Sequence, residues 1–72
     1  MRKLIATVTF QVVRKSDAEF SDSLNVKVYG MPGQFENIAA IEEEARRLAP
    51  QWLAQGEDIT DRLIVVEMDA KL

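Results

Sequence analysis

The sequence predicts an α+β fold of the order strand, strand, helix, strand, and three observations carry that prediction. Apolar residues alternate from Leu4 to Val12 and again from Leu24 to Val28, which is the period of a half-buried strand. Ile38, Ile41, Ala45, Leu48 and Trp52 recur at steps of three, four, three and four, the period of a helix with one buried stripe. A last alternating run, Ile64, Val66, Met68 and Ala70, closes the chain. A hairpin followed by a helix that brings the third strand back beside the first gives a three-stranded antiparallel sheet of order 2-1-3, with a right-handed crossover.

The first strand is read from Lys3 to about Arg14. Leu4, Ala6, Val8, Phe10 and Val12 face the core, while Ile5, Thr7, Thr9, Gln11 and Val13 face away; the β-branched residues suit a pleated surface. Residues 15–23 form a polar loop too long for a two-residue hairpin turn, in which Phe20 either tucks back or starts the next strand. The second strand covers about Ser23 to Tyr29, with Asn25, Lys27 and Tyr29 on the outer face. Pro32-Gly33 then suits a type II turn, because proline presets one backbone angle and glycine accepts the positive φ that follows.

Asn37 is placed to cap a helix, its side-chain oxygen accepting from a free N–H. That helix is read from Ile38 to about Gln55, with Leu48, Ile41, Trp52, Ala45, Ile38, Ala49 and Leu53 on the buried arc. Pro50 lacks an amide donor and crowds the preceding turn, so a kink or a break into a second short helix is expected there. Gly56 is read as the helix stop. The third strand runs from about Arg62 to Ala70, with Leu63, Val65, Glu67 and Asp69 on the outer face. The helix covers one side of the sheet and leaves the other bare.

At 72 residues the chain is expected to be a single domain spanning its whole length. A domain this small buries only about 60% of its unfolded surface. It has no cysteine and no histidine, so disulfides, imidazole bases, thiol nucleophiles and the usual zinc ligands are all missing. No dinucleotide or phosphate-loop motif is present. A net charge of −3 with scattered basic pairs argues against nucleic-acid binding. No apolar run reaches the ~18 residues of a membrane span, and the N-terminus does not read as a signal peptide. The expectation is a soluble cytoplasmic protein without a cofactor.

The remaining charged residues have simple structural readings. Glu42 with Arg46 and Glu43 with Arg47 stand at the i,i+4 spacing that supports a helix. Asp58, Thr60 and Asp61 suit a loop. Glu67 and Asp69 are placed to pair across the sheet with Lys27. Trp52 reads as a core residue. The outer sheet face, with Tyr29 among threonines, reads equally as solvated sheet or as a partner surface, and the edges of strands two and three offer a route by strand addition.

The run from Val26 to Gly33, followed by Asn37, Ile38, Glu43, Glu44 and Ala45, resembles part of the HicB-type antitoxin domain, in which a strand ends in a Leu-Pro-Gly turn before a capped helix rich in Glu and Ala. That resemblance implies binding to a protein partner. The whole-chain order is similar to small ββαβ proteins of bacteriophages, some of them inhibitors of host enzymes, which implies an acidic, non-catalytic domain. The sequence-level reading is therefore a non-catalytic protein–protein interaction module, an inhibitor or accessory protein acting through the open face or a strand edge. Its candidate partner-binding residues are Thr7, Thr9, Gln11, Lys27, Tyr29 and Val65. A homodimer, a structural protein whose partner is itself, is the alternative. A metal-dependent enzyme using Asp58, Asp61 and Glu67 is the third reading.

Overall fold

The clearest alternation in the sequence becomes the central strand. The computed structural model describes residues 2–69, with all their side chains except those of Phe20, Ser21, Leu63 and Ile64. It contains β1 (Lys3–Arg14), β2 (Phe20–Gly30), α1 (Ile38–Leu48), a single 3-10 turn (Ala49–Trp52) and β3 (Glu57–Met68). The three strands form one antiparallel sheet of order β2-β1-β3. This is the α+β architecture that the sequence predicts.

Four of the five residues assigned to the core face of β1 are fully buried: Ala6, Val8, Phe10 and Val12; Leu4 is half-buried. Ala6, Val8 and Phe10 join Ile5 of the same strand, Val26 and Val28 of β2 and Ile41, Ala45 and Ala49 of the helical segment in one core, with Leu24, Phe35, Leu48, Ile59 and Val66 packed around it. Ile5 departs from the expectation. It was placed on the open face, yet it is only 2% exposed. The pairing steps from Leu4↔Tyr29 to Ala6↔Val28, so two residues of β1 oppose one of β2. Such a bulge re-aims a side chain: it puts Ile5 and Ala6 on the core side and leaves Leu4, read as a core residue, on the open face opposite Tyr29.

Strand three begins earlier than the alternation suggests, at Glu57 rather than near Arg62. Its first residues pair with the end of β1, as Arg14↔Glu57 and Val12↔Ile59. Between Val12↔Ile59 and Phe10↔Leu63, Thr60, Asp61 and Arg62 stand opposite Gln11 alone. This large bulge destroys the period of two, which is why a paired stretch reads as a loop. Val66 and Met68 lie opposite Val8 and Ala6, on the core face as expected. The faces assigned to Leu63, Ile64 and Ala70, and the question of where the Phe20 side chain lies, fall outside the described residues; the Phe20 backbone begins β2 opposite Val13.

The turn and cap follow local rules. Gln34 N–H donates to Met31 O at 3.0 Å with Gly33 at φ 81°, the type II geometry expected of Pro32-Gly33. Asn37 accepts from Ala40 N–H at 2.9 Å and caps α1. Helix α1 lies over β1 and β2.

The helical segment is shorter than the stripe implies. It ends at Trp52, and Gly56 serves a separate turn at φ 86°, in which Glu57 N–H donates to Ala54 O. At Pro50 the α-helix has already passed into 3-10 geometry. A 3-10 turn rotates about 120° per residue instead of 100°, so by Trp52 the side chain is roughly 80° off the stripe. Trp52 is accordingly 64% exposed, not buried. Ile38, the first residue of α1 and the other end of the stripe, is 48% exposed. Glu42 pairs with Arg46 at 3.2 Å as expected, but Arg47 pairs with Glu44 at 2.7 Å rather than with Glu43.

Candidate functional site

The outward positions of the sheet form cross-strand rows. Lys27, Thr7 and Glu67 make one row, and Asn25, Thr9 and Val65 the next. Thr9 Oγ1 donates to Asn25 Oδ1 at 2.8 Å. Gln11 follows, with Ser23 on one side and the β3 bulge on the other. Thr7, Thr9 and Gln11 are half-buried by these neighbours, whereas Lys27, Tyr29 and Val65 are exposed. Glu67 and Lys27 flank Thr7 from opposite sides, about 10 Å apart as two strand spacings require, and among the described residues no salt bridge joins them. The direct cross-strand pairing read from the sequence does not form, because β1 lies between the two strands.

Tyr29 separates from the threonine rows. It sits opposite Leu4 at the end of β2, and its carbonyl accepts from Arg2 Nη2 at 3.0 Å. Together with Arg2, Asn25 and Lys27 it forms one side of a groove of about 430 Å³ whose other side is Leu48, Gln51 and Trp52. Asn25, Lys27 and Tyr29 come from the open side of the sheet, and Leu48, Gln51 and Trp52 from the helical side. The groove therefore wraps around the outer edge of β2, where among the described residues no further strand pairs.

Each wall has a local cause. The alternation of β2 turns Asn25, Lys27 and Tyr29 outward while Val26 and Val28 go to the core. The 3-10 turn swings Trp52 away from the core and over the edge strand. The lining combines two aromatic rings, one of them 64% and the other 43% exposed, with the aliphatic Leu48, two amides and two cations, Arg2 and Lys27. No carboxylate lines it, although the chain carries a net charge of −3.

Of the six residues singled out from the sequence, Lys27 and Tyr29 reach this groove, and Thr7, Thr9, Gln11 and Val65 lie on the sheet face beside it. Sequence reasoning missed Arg2, Asn25, Leu48, Gln51 and Trp52. The signal was present in Pro50: a proline in the second half of a helical stripe warns that residues after it leave the stripe's phase.

Asp58 is opposite Val13, Asp61 lies in the bulge and Glu67 is opposite Thr7. Among the described residues no group of three such side chains converges to hold a metal ion, and no helix is long and apolar enough to cross a membrane. Comparison of the chain with protein-family models, with curated proteins and with solved structures finds no match.

Proposed function

We propose that this protein is a non-catalytic protein–protein interaction module that docks its partner at the free edge of β2. The observation that supports this most strongly is the position of Trp52: an indole 64% exposed that lines one groove with Tyr29, beside a strand edge with no partner strand among the described residues. The few residues that carry most binding energy at protein interfaces are enriched in tryptophan, tyrosine and arginine. An unpaired edge supplies backbone donors and acceptors for strand addition.

The test is affinity capture from lysate of the source cells with the wild-type chain and with Trp52→Ala and Tyr29→Ala. Both residues are exposed, so each variant should keep its fold within about 1 kcal/mol, which circular dichroism and urea melts check. Captured proteins that are lost with both variants support the reading. Capture unchanged in both variants overturns it.

A further inference from the structure

The groove also says what kind of segment fits it. Resting on the docking reading above, we propose that its occupant is an extended peptide segment with alternating acidic and apolar side chains, added as a fourth strand along β2.

Three observations lead there. First, β2 is an edge strand, and a strand laid along it turns alternate side chains to the two faces of the sheet. On the helical side these meet Leu48 and Trp52, and on the open side Lys27 and Tyr29. One set of positions is therefore mainly apolar, with the single amide of Gln51, and the other meets positive charge. Second, both charged residues of the lining are cations in a chain that is acidic overall. Complementary charge favours a carboxylate and rejects a lysine. Third, Arg2 spends Nη2 on the carbonyl of Tyr29, which marks the end of the edge; its guanidinium has five N–H groups in all, enough to reach a carboxylate as well.

The same lining disfavours other occupants. Pairing β2 with β2 of a second copy is isologous and brings the groove against itself, so its two cations would face a lining that again holds two cations and no carboxylate. A nucleic-acid strand presents a phosphate at every nucleotide and is held by a basic track, which two cations in an acidic protein do not supply.

The experiment uses the full chain and four labelled probes in fluorescence anisotropy: a short peptide alternating glutamate with leucine, its lysine–leucine and glutamate–glycine counterparts, and oligothymidylate. The glutamate–leucine peptide should bind at least about tenfold tighter than the others. It should weaken with added salt, lose binding when alternate amides are N-methylated, and move the amide signals of Asn25, Lys27 and Tyr29 and the indole signal of Trp52. Lys27→Glu should reverse the preference between glutamate and lysine peptides. Equal binding of the peptides, no binding, shifts centred elsewhere, tighter binding of oligothymidylate, or a dimer that buries Trp52 each overturns the proposal. If no peptide binds while Trp52→Ala still loses its captured proteins, the acidic strand is wrong and the docking site stands. If Trp52→Ala and Tyr29→Ala both capture what the wild type captures, the docking site itself is wrong.

Discussion

The Arg46 guanidinium donates to the carbonyl oxygen of Thr60 at 3.2 Å, fourteen residues away and on another element. A second nitrogen reaches Asp61 O at 3.0 Å, the same group lies 5.2 Å from the centroid of the Phe10 ring, and Glu42 holds it at 3.2 Å. The bulge of β3 leaves carbonyls without a strand partner, and a helix residue supplies the donors. Thr60 Oγ1 completes the bulge by accepting from Arg62 N–H at 3.1 Å.

Removing Arg46 should therefore unfasten β3 from α1. Its side chain is 30% exposed, and a charged hydrogen bond contributes roughly 1.5–3 kcal/mol. Arg46→Ala is expected to destabilise by about 2 kcal/mol. Arg46→Lys should recover less than half of that, since an ammonium cannot span two carbonyls and stack on a ring. Urea melts measure the loss, and amide exchange should speed first at residues 60–62.

Gly30 is fixed by a close approach. A Cβ there would stand 2.6 Å from Gln34 Oε1 and 3.2 Å from Phe35 Cε2. Gln34 Oε1 also accepts from Met31 N–H at 2.9 Å, so moving it aside breaks a hydrogen bond that holds the turn. Gly30→Ala should destabilise by about 1–2 kcal/mol. In a double-mutant cycle Gln34→Ala should remove part of that cost; strict additivity of the two changes would show that the contact is unimportant.

The β1–β2 loop holds Ala18 at φ 57°, a left-handed conformation that strains an L-residue by roughly 1–2 kcal/mol. Ala18→Gly removes that strain and loses part of the gain to a more flexible unfolded chain. The net expectation is a stabilisation of about 0.5 kcal/mol, read as a rise in the urea midpoint at unchanged slope. A fall in the midpoint would contradict it.

The Arg47 hydrogen bond and charge hold the Glu44 carboxyl below its ordinary value of 4.5, against a partial opposing effect of burial. A folded-state value below the unfolded one contributes stability that is present above the ordinary value and is lost as pH falls through the lower one. Wild type should thus exceed Glu44→Gln in stability at neutral pH, and the difference should close on acidification below 4.5. Denaturation curves of both proteins across that range check the sign; a gap that widens in acid would refute it.

Much of the fold was legible because it rests on near neighbours in the chain. The cap at Asn37, the type II turn at Pro32-Gly33 and the core face of Ala6, Val8, Phe10 and Val12 each follow from local backbone preference or a period of two. The candidate site was only half legible. Lys27 and Tyr29 could be read as outward from alternation, whereas Trp52 was read as core because the stripe was extended through Pro50 at an unchanged 100° per residue.

The sequence by itself determined the element order, the 2-1-3 antiparallel sheet and the exclusion of imidazole and thiol chemistry, since these depend on pattern and composition. Tertiary structure decided which residues leave the pattern. Ile5 is buried because β1 bulges against β2, Glu57–Arg62 is strand because the end of β1 pairs with it and Arg46 satisfies its carbonyls, and Trp52 lines an edge groove because the helix tightens after Leu48. Each of these turns on a partner distant in the chain or on an accumulated rotation, and neither is written in the identity of the residue itself.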